Sequence, residues 1–218
     1  MNIEAVLDDV AAEIEWLSPP PVFIGGATIG LYLDPFGRAQ VRPTRDVDCI
    51  VPRLRTTADW FALESELRRR GWRADATGPI CRYVSPRGHL VDFLAAEPSV
   101  QGFAGTWFAR AVAGARPHRL PSGREILVPL PADLLACKLE AFFDRGITDP
   151  LGSPDLEDIV ALLDGCAELT DVDAWARGKL AEIRSSPSLS SAAEAHLPRG
   201  GDETARLRHF RERLARLS

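Results

Sequence analysis

Two aspartates separated by one residue give this sequence its clearest chemical signal. Asp46 and Asp48 begin an otherwise apolar stretch, Asp46-Val47-Asp48-Cys49-Ile50-Val51, which predicts a strand over 46–51. Alternate residues of a strand face the same side, so the two carboxylates lie side by side and repel each other. Mg²⁺ prefers oxygen ligands and would relieve that repulsion. We therefore expect a metal site, against the simpler alternative of an acidic pair at a strand edge.

A glycine pair precedes this strand. The apolar run Val22-Phe23-Ile24 predicts a short buried strand that stops at Gly25-Gly26, and a helix is predicted over 26–33. Glycine lets the backbone approach a phosphate closely, and a helix N-terminus favours its charge. A tight turn between strand and helix is the simpler explanation of the pair alone. The order strand, Gly-Gly, helix and paired aspartates is more specific than either motif.

A third carboxylate would complete the metal site. Asp92 interrupts the apolar strand His89-Leu90-Val91-Asp92-Phe93-Leu94, where a charge is costly unless it is paired or bound to a metal. An edge-strand aspartate that faces water is the alternative. Carboxylates on adjacent strands would hold two Mg²⁺ ions, with Mn²⁺ as a substitute. One ion would activate a hydroxyl nucleophile and the other would neutralise a triphosphate. Thr44 and Arg45 lie close enough along the chain to contact phosphate.

A lysine lies within the apolar stripe of a predicted helix over 131–145. Lys138 follows Leu134 and Leu135 at helical spacing, so it faces inward with them. An inward lysine must find an anion or give up its charge. A triphosphate and an aspartate are both suitable anions. The alternative is that the ammonium reaches solvent from the edge of the stripe.

Two aspartates begin the next predicted helix, over 154–164. Ser153 fits an N-cap and Pro154 the first helical position, so the helix dipole alone accounts for Asp155. Asp158 lies one turn further on, where capping does not explain it. Asp158 is therefore the better candidate to orient Lys138 or to bind nucleotide, although the choice between the two aspartates stays open.

Composition restricts the classes of protein that need to be considered. The 218 residues carry a formal net charge of −5, which argues against a globally basic nucleic-acid binder, yet arginines form local clusters. No apolar run approaches the ~20 residues that span a bilayer. The N-terminus lacks the pattern of a signal peptide, and the four cysteines have no CxxC spacing. We expect a cytoplasmic protein with reduced thiols and no membrane partner.

The predicted elements indicate an α+β fold. We expect a mixed α/β core with an N-terminal helix over residues 1–130 and a helical subdomain over 131–218 that contributes to the active-site cleft. Besides the elements above, helices are predicted over 3–17, 57–70, 103–113, 171–184 and 202–217, and strands over 72–74, 80–84, 89–94, 116–120 and 125–128. Residues 34–37 read as a turn, and 185–201 read as a flexible link.

The motifs together resemble the nucleotidyltransferase (polymerase β-like) superfamily. The matching residues are Gly25-Gly26, Arg42-x-Thr44-x-Asp46-x-Asp48 and Asp92. The gap between the glycines and Asp46 is long, which is similar to the subgroup of AbiEii-type toxins of type IV toxin–antitoxin systems. The segments 131–142 and 155–159 resemble the lysine-bearing helix and the acidic motif of that subgroup. Pro154 stands where a basic residue is often found.

The resemblance implies a nucleotidyltransferase-type sheet flanked by helices, followed by a helical subdomain. It also implies transfer of a nucleoside monophosphate from a nucleoside triphosphate to an acceptor hydroxyl, with release of pyrophosphate. The implied metal ligands are Asp46, Asp48 and Asp92; Gly25 and Gly26 would cradle the triphosphate. Lys138 would steady the phosphates with the support of Asp158. The acceptor would be RNA, such as a tRNA 3′ end, and a cognate antitoxin is an implied partner.

Two other functions remain open at this stage. The acceptor could be a small molecule such as an aminoglycoside, or a protein side chain. An acidic pocket would favour the drug-modifying version, and the arginines around Asp46 argue mildly against it. The chain could also be a catalytically silent module that binds only a partner or a nucleotide. The presence of all three acids and of Lys138 argues against silence.

Overall fold

The computed structural model describes residues 2–102 and 105–218. Over these residues the chain has an α+β fold with one seven-stranded mixed sheet, ten α-helices, one 3₁₀-helix and one π-helix. The chain divides into two compact units. The sheet unit contains the chain up to Thr28 together with Pro43–Leu130, and the helical unit contains Ile29–Arg42 together with Pro131–Ser218. The sequence had given no sign that residues 29–42 group with the later helices.

The sheet is mixed because its central strands run in both directions. Its spatial order is β3-β4-β5-β2-β1-β7-β6, with β2 parallel to β5, β1 parallel to β7, and all other neighbours antiparallel. The strands are β1 (Val22–Ile24), β2 (Asp46–Ile50), β3 (Arg73–Ala74), β4 (Arg82–Val84), β5 (Leu90–Leu94), β6 (Arg116–Arg119) and β7 (Glu125–Val128). All seven coincide with predicted strands to within two residues.

Side-chain alternation divides the centre of the sheet into an apolar face and a charged face. Val47 and Cys49 of β2 are buried with Tyr83 of β4 and with Val91 and Phe93 of β5. The ring of Phe93 stacks edge-on against that of Tyr83, with centroids 6.1 Å apart. Burying one such apolar side chain stabilises the fold by about 1.5–3 kcal/mol. This face therefore fixes the register, and the intervening residues of the same strands must share the other face.

The sheet unit also contains helices from several parts of the chain. They are α1 (Ile3–Glu13), α3 (Thr57–Arg69), α4 (Pro98–Gln101) and α5 (Phe108–Ala113), and the 3₁₀-helix Gly26–Tyr32 begins in this unit. Thr56 and Asp59 form a reciprocal capping box at the start of α3. The predicted first helix over 3–17 ends earlier than expected, at Glu13. For the helix predicted over 103–113, Phe103 and Ala104 lie outside the described residues, and α5 begins at Phe108.

The helical unit contains α2 (Pro35–Gln40), α6 (Pro131–Ala141), the π-helix Phe142–Gly146, α7 (Pro154–Gly165), α8 (Ala174–Ser185), α9 (Pro187–Ala195) and α10 (Glu203–Leu217). The Ser153 Oγ accepts a hydrogen bond from Leu156 N, and Pro154 occupies the first turn, which confirms the predicted start of α7. Arg213 of α10 is buried and donates to the carbonyls of Cys166 and Leu169, which follow α7.

Two predictions of irregular structure were wrong. The turn expected over 34–37 is the first turn of α2, because the Asp34 side chain accepts a hydrogen bond from Gly37 N and caps a helix that begins at Pro35. The flexible link expected over 185–201 contains α9, whose N-cap is Ser186 and whose Leu189, Ala192 and Ala193 are buried. Serine and proline were read as loop-formers where they act as helix-starting residues.

No helix within residues 2–102 and 105–218 combines the length and the apolar character that crossing a membrane requires.

Candidate functional site

Three aspartates share the charged face of the sheet at its centre. Asp48 of β2 lies directly opposite Asp92 of β5 in the parallel register, and Asp46 precedes Asp48 by two residues on the same face. We call Asp46, Asp48 and Asp92 the carboxylate row. The sequence predicted adjacent strands for these acids, and the register brings Asp48 and Asp92 together. Asp92 is buried, whereas Asp46 and Asp48 are partly exposed.

An arginine from the next strand bridges two members of the carboxylate row. Arg82 of β4 pairs with Asp92 in the antiparallel register, and its Nε and Nη2 donate to the two carboxylate oxygens at 2.7 and 2.8 Å. The same Nη2 donates to Asp46 Oδ2 at 2.6 Å. Hydrogen bonding to Asp92, together with the charges of Asp92, Asp46 and Asp48, raises the pKa of Arg82. The guanidinium is therefore a fully charged counter-ion of the row.

Gly25, which follows the neighbouring strand β1, packs closely against the Asp48 carboxylate. Ile24 of β1 pairs with Asp48, and Gly25 follows with a positive φ of 79°. A Cβ atom at Gly25 would overlap the Asp48 carboxylate, so both the backbone conformation and the close approach require glycine here. The Gly25 carbonyl accepts hydrogen bonds from Thr28 N and Thr28 Oγ1. The glycine pair was predicted to approach a phosphate; the close contact that the structure shows is with a carboxylate.

The negative charge of the row contributes to raised pKa values at two nearby thiols, Cys49 and Cys81. Burial, then the charges of Asp48 and Asp92, raises the pKa of Cys49 well above its usual value. The same causes, with Asp92 preceding Asp48, raise the pKa of Cys81 to about 12. Both thiols are therefore protonated at neutral pH and are poor nucleophiles. The thiols therefore add no nucleophile to the carboxylates of the charged face.

The donor atoms of the row fit a hard divalent cation, because carboxylate oxygens are the ligands that Mg²⁺ prefers. The space between Asp46 and Asp92, however, holds the Arg82 guanidinium. In this arrangement no group of three or more His, Cys, Asp or Glu side chains within the described residues could hold a metal ion. Asp46, Asp48 and Asp92 would be the ligands, provided that the guanidinium gives up its place.

The residues just before β2 differ in what they contact. Thr44 Oγ1 donates to Asp46 Oδ1 at 3.1 Å, so this hydroxyl orients a carboxylate of the row. Arg45 is exposed. Thr44 was predicted to contact phosphate, and the structure gives its hydroxyl a role in holding Asp46.

A second charged group lies within the helical unit. Lys138 of α6 is buried, and its Nζ contacts Asp158 Oδ2 at 2.7 Å and Asp155 Oδ1 at 3.2 Å. The two aspartates are three residues apart on α7, so they share one face of that helix and both are buried. An aspartate partner for Lys138 was one of the two anions expected from the sequence. The sequence had left open which aspartate acts with Lys138, and in the structure both Asp155 and Asp158 contact it.

Two arginines complete this second group. Arg145, near the end of the π-helix, donates through Nε to Asp155 Oδ2 at 2.9 Å, and its Nη2 lies 2.8 Å from the same oxygen. The Nη2 of Arg42 lies 3.4 Å from Asp158 Oδ2. We call Lys138, Asp155, Asp158, Arg42 and Arg145 the lysine cluster. Each aspartate thus contacts two cations, which is how a buried carboxylate is normally satisfied.

Several arginines that the sequence grouped into basic patches are paired with acids. Arg124 of the β6–β7 hairpin contacts Asp8 and Glu15 at 3.2 and 3.0 Å. Arg119 contacts Glu125 at 3.1 Å. These ion pairs reduce the positive charge that the hairpin presents to a polyanion.

Sequence reasoning missed Arg82 and Arg145. Arg82 belongs to no motif, and its importance follows from a cross-strand register that the sequence does not specify. One signal was available, because a lone arginine inside the apolar strand Cys81-Arg82-Tyr83-Val84 needs a partner for the same reason that Asp92 does. Arg145 belongs to no motif either, and the sequence does not show that it pairs with Asp155.

Comparison with known proteins adds no family to this description. No protein-family model matches the chain, and no curated protein shows significant sequence similarity to it.

Proposed function

We propose that this protein is a metal-dependent nucleotidyltransferase of the polymerase β-like type, which moves a nucleoside monophosphate from a nucleoside triphosphate to an acceptor hydroxyl. The observation that carries the proposal is the pairing of Asp48 with Asp92 on adjacent parallel strands, with Asp46 on the same face. Three convergent carboxylates on a rigid sheet are costly unless cations neutralise them. Binding the Mg²⁺ complex of a triphosphate would supply those cations, which accounts for three carboxylates in one place.

Each residue of the row has a distinct part in this proposal. Asp46, Asp48 and Asp92 would hold Mg²⁺ through their carboxylate oxygens, and the ion would supply charge neutralisation for the triphosphate and activation of the acceptor hydroxyl. Thr44 fixes the orientation of Asp46 through its hydrogen bond. Gly25 leaves the space in which the Asp48 carboxylate lies. In the proposed reaction Asp92 would accept the hydroxyl proton as the acceptor oxygen bonds to the α-phosphorus and the bond to the β-phosphate oxygen breaks, releasing pyrophosphate.

The substrate class rests on the resemblance to AbiEii-type toxins. It gives a ribonucleoside triphosphate as donor, an RNA such as a tRNA 3′ end as acceptor, a cytoplasmic location and a cognate antitoxin as partner. Lys138 and Asp158 enter the proposal through the same resemblance, which assigns the lysine to phosphate binding. Arginines that contact an RNA backbone would make binding weaken steeply as salt is raised.

One observation favours a second candidate function. The Arg82 guanidinium already neutralises Asp46 and Asp92, as it would in a nucleotide- or partner-binding module that performs no transfer. The two candidates differ in whether a divalent cation can take the place of this arginine.

The direct test is transfer of label from each α-³²P nucleoside triphosphate, with Mg²⁺ and total tRNA. Asp48→Asn keeps the shape of the side chain while it removes one ligand charge, and should reduce transfer by about 100- to 1000-fold. Asp171→Asn is the matched control, because this exposed aspartate lies outside both charged groups. We expect the control to label RNA as well as the wild type does.

The products should be separated so that each outcome is informative. Label on RNA supports the RNA acceptor; label on protein or on a small molecule keeps the transferase and replaces the acceptor. Absence of Mg²⁺- or Mn²⁺-dependent label with all four nucleotides would refute the enzyme and favour the binding module.

A further inference from the structure

Arg82 is bound more completely than an ordinary surface arginine. Two of its nitrogens hold both oxygens of the buried Asp92, and one of them also holds Asp46, at distances of 2.6 to 2.8 Å. The bidentate geometry is specified by the sheet itself, since β4 places Arg82 directly opposite Asp92. The guanidinium thus lies where the carboxylates converge.

A divalent cation and this guanidinium compete for the same carboxylates. Arg82 donates to both oxygens of Asp92 and to one of Asp46, and carboxylate oxygens are the ligands that Mg²⁺ prefers. Each oxygen keeps a second lone pair, so the competition is one of charge and space. The guanidinium lies between Asp46 and Asp92, and two cations held by the same carboxylates repel each other in a partly buried site. The bridging arginine therefore opposes ligation of a metal by Asp46 and Asp92.

The surroundings of Arg82 give its side chain somewhere to go. The side chain is 22% exposed, so a path to solvent exists. A second carboxylate outside the row is within electrostatic reach: the pKa of Asp75 is lowered by hydrogen bonds from Thr77 and also by the charge of Arg82. Asp75 is partly exposed and belongs to the loop before β4. It offers the guanidinium an anion when the row is taken by another cation.

We propose that Arg82 is a built-in counter-cation that competes with the divalent metal for Asp46 and Asp92, and so sets the metal affinity of the carboxylate row. In the metal-free protein the arginine neutralises the row; when metal binds, the arginine withdraws toward solvent. The inference rests on the proposed function to the extent that it takes the row to bind a divalent cation. It predicts a metal affinity that is held below what three carboxylates alone would give.

Calorimetric titration with Mn²⁺ and with Mg²⁺ tests this competition without measuring transfer. Arg82→Gln removes the competing charge and should tighten metal binding on the order of tenfold or more. Arg87→Gln is the matched control, because Arg87 pairs with Asp9 and lies outside the row. The control should bind metal as the wild type does.

The titration separates failure of this inference from failure of the proposed function. Tighter binding by Arg82→Gln supports the competition, including the case in which wild type shows no binding and the variant does. Equal or weaker binding by a folded Arg82→Gln, when wild type binds metal, overturns the competition and leaves the transferase standing. No binding by wild type and by Arg82→Gln overturns the metal site, and the inference with it.

A measurement on the wild-type protein does not depend on the folding of any variant. Phenylglyoxal modifies accessible guanidinium groups, and peptide mass spectrometry can follow Arg82 and Arg87 separately. Saturating Mg²⁺ should raise the labelling rate of Arg82 several-fold and leave that of Arg87 unchanged. An Arg82 rate that stays constant or falls as Mg²⁺ saturates the site overturns the proposal.

Discussion

The two charged groups of this protein are built on opposite principles. In the carboxylate row three acids meet the single bridging charge of Arg82, which leaves a formal charge of −3 + 1 = −2 among these four residues. In the lysine cluster two aspartates meet Lys138, Arg42 and Arg145, and Glu157, at 3.8 Å from Arg42, brings the balance to −3 + 3 = 0. Among the residues named here, the lysine cluster with Glu157 is balanced, as is typical of a structural element, whereas the row with Arg82 carries a net negative charge that suits a cation.

Burial follows the same division. The side chains of Lys138 and its two aspartates are at most 10% exposed; in the row Asp92 is similarly buried, at 9%, while Asp46 is 31% exposed. Removing one partner from a buried, balanced group destabilises the fold strongly, because the remaining charge is neither paired nor hydrated. A partly exposed, unbalanced group loses less and can accept a ligand. The comparison therefore predicts large stability effects in the lysine cluster and ligand-dependent effects in the row.

The largest effect should come from Lys138→Met, which removes a cation from between two buried aspartates. We expect the free energy of unfolding to fall by about 3–5 kcal/mol in urea denaturation. Lys179→Met is the matched control, since this more exposed lysine pairs with Glu182, and it should cost about 1 kcal/mol or less. A loss below about 1 kcal/mol at Lys138 would remove the structural role of the cluster.

Gly25→Ala should have the next largest effect, and it probes the row through the backbone. The new methyl group would overlap Asp48 and would also occupy a positive φ, so we expect a loss of about 3 kcal/mol in thermal or urea unfolding. Gly88→Ala isolates the conformational part, because Gly88 has a φ of 89° with nothing within 4 Å of a Cβ. That control should cost about 1–2 kcal/mol. Equal losses at the two glycines would mean that the Asp48 contact has no energetic weight.

Arg82→Ala should destabilise the sheet unit moderately, and added Mn²⁺ should restore much of the lost stability. Loss of the charged hydrogen bonds to Asp92 and Asp46 should lower the free energy of unfolding by about 1–3 kcal/mol. Millimolar Mn²⁺ should recover most of this loss, because a ligand that binds only the folded state raises its stability. The shift in melting temperature with Mn²⁺ should be larger for the variant than for wild type. If Mn²⁺ stabilises both proteins equally, the row and the arginine are not coupled.

The smallest effect should come from Arg145→Ala. Its side chain is 68% exposed, and Asp155 keeps its contact with Lys138 when the arginine is gone. We expect a loss below about 1 kcal/mol in urea unfolding, which salt should reduce further. A loss comparable to that of Lys138→Met would mean that the cluster depends on all of its cations rather than on the buried lysine.

Much of the fold was predictable because apolar periodicity dominates it. The strands that carry the aspartates were found because Val47, Cys49 and Phe93 alternate with charged residues. The helices at 35–40 and 187–195 were missed because Asp34 and Ser186 are capping residues that also occur in loops. The grouping of residues 29–42 with the later helices depends on tertiary packing, which local sequence does not encode.

The acids and Lys138 could be recognised from the sequence, whereas the arginines that pair with the acids could not. An aspartate in an apolar strand stands out, whereas arginine is so frequent in this chain that Arg82 attracted no notice. Strand order and register decide which arginine faces which acid, and only the structure supplies both. Helical spacing placed Lys138 correctly on an inward face. It could not choose between Asp155 and Asp158, because the packing of α7 against α6 brings both aspartates to the lysine.

Anomalous diffraction from Mn²⁺-soaked crystals tests the central claim most directly. We predict an anomalous peak within coordination distance of carboxylate oxygens from Asp46, Asp48 and Asp92, with the Arg82 guanidinium displaced toward solvent. The absence of a peak at the row at saturating Mn²⁺, with Arg82 still bridging Asp46 and Asp92, would contradict both the metal site and the function proposed for it.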